Sequence, residues 1–197
     1  MRSISGMTIA ELLVALAILA AAALVAVPAS VDLLSSARAE AGAREMAVEF
    51  RALRFKSVAV RRHRGMLFER VGSGWAFREV EDGNGNGLRT AEVRSGIDRT
   101  ISGPTRLEDR VEKATPGIPP GGPFPEVPPG TGQLDESSDP VRFGNSDLVS
   151  FSPAGSASSG TLYVTDRRNG LSAVVLYGPT ARVRVWRWDP WRQRWSL

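Results

Sequence analysis

The chain has 197 residues, enough for one modest domain with an appendage but short for two domains. It has no cysteine and a single histidine, which excludes a disulfide framework and a thiolate metal site and disfavours a histidine-based triad. The net charge of +4 is uneven: residues 38–64 carry eight basic and three acidic side chains, 65–177 are net acidic by four, and the last twenty residues set five arginines against Asp189.

The first element is an apolar run from Met7 to Ala29, interrupted only by Thr8 and Glu11. As a helix at ~1.5 Å per residue it spans about 34 Å, enough for a hydrocarbon core of ~30 Å. Arg2 precedes it, as the positive-inside tendency asks of a cytoplasmic start. A cleaved secretory signal predicts a shorter apolar region, and a plain signal anchor leaves Glu11 unexplained. A carboxylate inside a membrane helix costs about 3 kcal/mol and calls for a partner.

Pro28 closes the apolar run, and its missing N–H predicts a kink there. The helical pattern resumes at once over residues 30–64. Ala43, Met46, Ala47, Phe50, Leu53, Ser57 and Val60 recur at three to four residues and predict an amphipathic helix whose apolar stripe covers a sheet. Glu45 and Glu49 form a like-charge pair four residues apart, with Arg44 and Arg54 near enough to offset it. The helix is expected to stop near Arg64-Gly65, leaving His63 exposed at its end.

Beyond Gly65 short β-like runs alternate with turn residues. Strands are predicted over 66–71, 74–81, 147–152, 160–166, 171–178 and 181–188, arranged as antiparallel meanders packed on the helix. The stretch EDGNGNG (81–87) matches the start of a calcium loop through Asp82, Asn84, Asn86 and Gly87. The twelfth position is Val93 and Glu92 falls one residue early, so the bidentate acid is out of register and flexible turns are the expectation. No metal or other cofactor is expected. Residues 103–146 hold nine prolines and predict a long mobile or polyproline-like insertion without packed elements.

In the last strand Arg182, Arg184, Trp186 and Trp188 share one face, with Arg187, Trp191, Arg192, Arg194 and Trp195 close behind. Guanidinium groups bind phosphates and indoles stack on unpaired bases, so this is a candidate DNA-binding patch. The competing reading is that the tryptophans close the end of the sheet while the arginines stack on them. Serines without a histidine base and scattered carboxylates make no catalytic constellation, so no enzyme activity is expected.

Two stretches carry a family resemblance. MRSISG|MTIAEL resembles the class III signal of type IV prepilins and pseudopilins: a short charged leader ending in Gly, then an apolar residue, with Glu fifth after the cut. Met7 stands where Phe is common and Ala10 where a larger aliphatic residue is usual. The resemblance implies a leader of residues 1–6, cleavage between Gly6 and Met7, methylation of the Met7 amine, and a role for Glu11 in subunit assembly. It makes residues 7–29 a transmembrane helix, 30–64 its amphipathic continuation and 65–197 a periplasmic β domain. A proline near Pro28 is common in such helices. The second stretch resembles GspH/FimT family domains, through Phe151-Ser152-Pro153-Ala154-Gly155 (F-x-P-x-G) and Ala181-Arg182-Val183-Arg184 (G-R-x-R with Ala for Gly). The W-x-F…D-x-N-x-N-G region is similar too.

The implied fold is an α+β pilin-like lollipop. The implied function is that of a minor pseudopilin, a structural subunit of a type II secretion pseudopilus. The alternative is a FimT-like minor type IV pilin for pilus assembly or DNA uptake. The implied partners are the prepilin peptidase, other pseudopilins or pilins, the inner membrane and, for the alternative, DNA. The implied location is the inner membrane, single-pass, with the C-terminal domain in the periplasm.

Overall fold

The computed structural model describes residues 8–197, apart from the side chains of residues 25–30. Gly6 and Met7 lie outside the described residues, as does the side chain of Pro28. The fold is α+β, a long N-terminal helix packed on antiparallel sheets. Helix α1 (Ile9–Val60) continues through position 28. The chain divides into two compact units, Met1–Leu34 and Ser35–Leu197. Among the described residues no helix is long and apolar enough to cross a membrane. The span expected over 7–29 includes Met7 and the side chains of residues 25–29, which lie outside that description.

The helix ends at Val60, four residues before the expected stop. Arg61 adopts a left-handed conformation (φ +54°), and the N–H groups of Arg61 and Arg62 donate to the carbonyls of Val58 and Ser57. This is a Schellman-type end, which satisfies the last carbonyls and turns the chain. Val60, expected in the buried stripe, is 42% exposed because it sits at this turn. The rest of the stripe holds: Ala43, Met46, Ala47, Phe50, Leu53 and Ser57 are buried. Gly42 belongs to the same stripe, and a Cβ on it would stand 2.6 Å from the Ala114 methyl. The close approach of helix to sheet needs a glycine there.

Strands β1 (Arg64–Val71) and β2 (Gly74–Glu81) form a hairpin over the two-residue turn Gly72-Ser73. Helix α2 (Thr90–Ser95) follows, then β3 (Arg99–Thr100), β4 (Thr115–Pro116), β5 (Phe124–Pro125), β6 (Gln133–Leu134) and β7 (Val141–Arg142). Next come β8 (Leu148–Phe151), β9 (Gly160–Thr165), β10 (Leu171–Tyr177), β11 (Arg182–Asp189) and β12 (Arg194–Ser196). One sheet has the order β3-β2-β1-β8 and a second β12-β11-β10-β9-β4, with β7 following β4 along the same edge of β9. A third, β5-β6, has two strands. All six predicted strands are present within two residues at each end.

The main core joins the helix to both larger sheets. Phe50 meets Phe143 edge-on at 5.9 Å and Phe151 at 6.1 Å, with Phe68, Phe77, Val149, Leu162, Val164, Val174 and Leu176 around them. His63 is half-buried beyond the helix end, and its carbonyl accepts the Asp82 N–H at 3.0 Å.

Residues 103–146 are packed, which corrects the expectation of a mobile insertion. Ile118, Phe124, Val127 and Leu134 lie against Tyr163, Leu171, Ala173, Trp186, Trp188 and Trp195, on the face of the second sheet that the helix does not cover. The reason is an unmet apolar face: β10 is apolar on both sides and β9 adds Tyr163 to the second one, and strands buried on both faces must be covered twice. Pro125, in β5, adds a polar tie to this cover: Trp195 Nε1–H donates to Pro125 O at 2.8 Å. Arg110, within this segment, donates to the carboxylates of both Glu45 and Glu49. It, rather than Arg44 or Arg54, neutralises that pair; Arg44 is held by Glu40.

Candidate functional sites

Thr8 and Glu11 close on each other at the start of α1. The Glu11 N–H donates to Thr8 Oγ1 at 3.2 Å, and Glu11 Oε2 accepts the Thr8 N–H at 2.8 Å and its hydroxyl at 2.9 Å. With Thr8 before the first helical residue, this is a capping box. The T-x-x-E spacing of Thr8-Ile9-Ala10-Glu11 carries that signal, and the reading of Glu11 as a membrane carboxylate missed it. Glu11 therefore satisfies its own helix end, and Oε1 takes no hydrogen bond among the described residues.

The 81–87 loop is stapled rather than flexible. Asp82 is 1% exposed; its Oδ1 accepts the N–H groups of Asn84 (3.1 Å) and Gly85 (2.7 Å), and its Oδ2 that of Gly87 (2.8 Å). Burial pushes the Asp82 carboxyl up, but the N–H donors of Gly85, Gly87 and Asn84, with nearby His63, leave it below the ordinary value. The Asn84 and Asn86 amides both donate to Glu92 at 3.0 Å, so the acid that looked one residue early does reach this loop. Asp98 accepts the N–H groups of Gly83 and Arg89. Every one of these bonds is internal. Among the described residues no group of three His, Cys, Asp or Glu side chains could hold a metal ion. The loop and α2 instead cover the first sheet, where Leu88 and Val93 pack on Leu67, Val80 and Leu148.

The C-terminal arginines, grouped in the sequence, are divided by the sheet. Arg182, Arg184 and Trp186 share the face of β11 that looks away from α1. With Val175, Tyr177, Pro128 and Pro129 they line an open cavity of about 310 Å³. Arg182 and Arg184 are exposed and make no ion pair among the described residues. Arg187 points to the opposite face and stands 3.5 Å from Glu40 of α1. Arg194 pairs with Asp189 across β11 and β12, so it shares that opposite face. Arg192 is tied to Asp189 at 3.2 Å, and the Arg192 N–H, with its guanidinium and the Trp191 N–H, holds the half-buried Asp189 carboxyl below its ordinary value despite desolvation.

Of the five candidate arginines, then, two converge. Period-two alternation is legible in β11, but the turn before β12 that returns Arg194 to the other face is not. The tryptophans divide as well. Trp188 is buried between Phe124 (5.9 Å) and Trp195 (5.5 Å), while Trp191 is 84% exposed. Trp188 and Trp195 serve packing, and Trp186 is the indole left beside the two free guanidiniums.

Compared with protein-family models, curated proteins and solved structures, the chain matches none.

Proposed function

We propose that the chain is a structural subunit of a filament of the type IV pilus and type II secretion class, acting as a minor pseudopilin in protein secretion. The observation that carries this reading is MRSISG|MTIAEL: a charged leader, a Gly-apolar junction and a carboxylate five residues on, at the head of a 23-residue apolar run. The long helix that continues from this run into an α+β domain is compatible with it. The proposed setting is the inner membrane, crossed once by residues 7–29, with the β domain in the periplasm. The chain acts there as the substrate of a prepilin peptidase and its methyltransferase activity, not as an enzyme.

In this reading cleavage exposes an α-amino group of pKa ~8, charged at neutral pH, for which Glu11 of a neighbouring subunit is the counter-ion. Glu11 Oε1 is the oxygen left for it. Intact-mass measurement of the protein produced with and without the peptidase tests the proposal. A mature chain beginning at methylated Met7 supports it; a chain that keeps residues 1–6 in the presence of the peptidase overturns it.

A second reading, DNA capture by a FimT-like minor pilin, has one specific observation in its favour. Arg182, Arg184, Tyr177 and Trp186 line one open cavity, two cations beside two aromatic rings. Gel-shift titration of the full chain in detergent with single- and double-stranded DNA tests it. Binding that weakens with salt and is lost in Arg182→Ala/Arg184→Ala supports DNA capture. Binding that survives that double substitution excludes this site.

A further inference from the structure

Strand β11 is covered along one edge and only partly along the other. Residues 182–187 pair with β10, whereas β12 on the opposite side pairs only with Arg187, Trp188 and Asp189. Among the described residues, then, no strand lies outside residues 182–186, and every second one of these turns its N–H and C=O to that open side. Such a row is a ready template for another extended chain. Other edges are shorter or filled. The edge strands β3, β4 and β7 have two residues each, and β8 is covered where Ala157 bridges Phe151 and the Ser158 N–H donates to Ser150 O at 2.9 Å.

A hollow flanks the open edge on each face. Away from α1 lies the cavity of about 310 Å³ that Arg182, Arg184 and Trp186 line. Toward α1 lies an open groove of about 610 Å³, where Val185 faces Val48 and Arg51. A strand laid along residues 182–186 continues the line of β12 and sends alternate side chains into the two hollows.

The residues of β11 specify those side chains. Arg182 and Arg184 are exposed and make no ion pair among the described residues, so the positions directly opposite them call for carboxylates. Val183 and Val185 are half-buried against the main core, so the positions opposite them call for β-branched apolar residues. A second copy of β11 does not fit: antiparallel pairing over all five residues sets Arg184 against Arg184. DNA answers the arginines but has no peptide groups for the edge.

We propose that β11 accepts an added β-strand from a partner protein, an extended acidic segment with carboxylates opposite Arg182 and Arg184 and β-branched residues opposite Val183 and Val185. Such a partner is independent of the filament reading, and it gives the two arginines a role other than DNA capture.

The test uses the full chain in detergent and two synthetic nine-residue peptides, in which Val alternates with Glu in one and with Lys in the other. The Glu peptide is expected to bind at least about fivefold more tightly than the Lys peptide, the scale of a single ion pair near 1 kcal/mol. Arg184→Glu, at an exposed position, is expected to reverse that order, and an unchanged thermal melt checks that the fold survives. The bound Glu peptide is also expected to slow amide exchange about tenfold at alternate residues of 182–186, while residues 187–189, already paired with β12, change little.

Equal binding of the two peptides overturns the proposal. So does Glu-peptide binding that leaves exchange in 182–186 unchanged, since charge alone then holds the peptide. Self-association of the wild-type chain that slows exchange at those same residues makes the edge homotypic and overturns it too. Oligothymidylate that binds more tightly than the Glu peptide, and is lost in Arg182→Ala/Arg184→Ala, assigns the arginines to DNA instead. The filament reading fails separately, in the intact mass, whatever the peptides do.

Discussion

Asp82 draws three backbone N–H groups onto one buried carboxylate and so turns a glycine-rich stretch into a fixed cover for the first sheet. Asn in its place has one acceptor oxygen and sets an N–H against the N–H of Gly85 or Gly87. A buried donor left without an acceptor costs about 1–3 kcal/mol. Asp82→Asn is therefore expected to lower stability by that amount in denaturant titration at pH 7. The pH dependence has a definite sign. The Asp82 carboxyl lies below its ordinary value in the folded chain, so its contribution is complete above the unfolded pKa and is lost as pH falls through the folded one. The gap between wild type and Asp82→Asn should narrow below about pH 4. A constant gap from pH 7 to pH 2 would show that the carboxylate charge is irrelevant there.

Among the elements, the proline-rich segment is the one whose structural role departs most from its composition. Tyr163 ties it to the sheet: its ring lies in the second core and its hydroxyl accepts the buried Val127 N–H at 3.3 Å. Burial, outweighing that N–H donor, pushes the Tyr163 phenol above its ordinary pKa, so it stays neutral at physiological pH. Tyr163→Phe keeps the packing and removes the acceptor, and is expected to cost about 1–2 kcal/mol. It is also expected to speed amide exchange at Val127 and proteolysis within 118–134, while exchange in α1 beyond Ser35 changes little. If protease cuts 118–134 as fast in wild type as in the variant, the segment is not the cover described.

For the whole molecule, the division into Met1–Leu34 and Ser35–Leu197 places Glu11 and the antiparallel sheets in different units. Glu11 belongs to the first unit, and its carboxylate hydrogen-bonds only to Thr8 among the described residues. Glu11→Gln retains the capping box, since Gln serves at that position, but removes the charge; Glu11→Ala removes both. If the carboxylate pairs with a neighbour's ammonium, both variants are expected to fail in filament assembly while their β domains melt as wild type does. Assembly retained by Gln and lost by Ala would make helix capping the whole role of Glu11.

How much of this was legible in advance depended on whether a residue's partner lies nearby in sequence or across the fold. Periodicity alone determined α1, its buried stripe and six strands, because helix and strand repeats are local and set by backbone geometry. The spacing T-x-x-E was equally local and was there to be read. Composition misjudged residues 103–146, because proline reports only that regular hydrogen bonding is absent, not whether apolar side chains between the prolines find a surface. The near-continuous apolar character of β10, with Tyr163 of β9 beside it, was the signal that something must cover their second face. Tertiary structure decided what that cover is, that Arg110 rather than Arg44 or Arg54 answers Glu45 and Glu49, and that only Arg182 and Arg184 stand together. Each of those is a long-range pairing set by how the sheets turn on the helix, and local sequence carries no record of it.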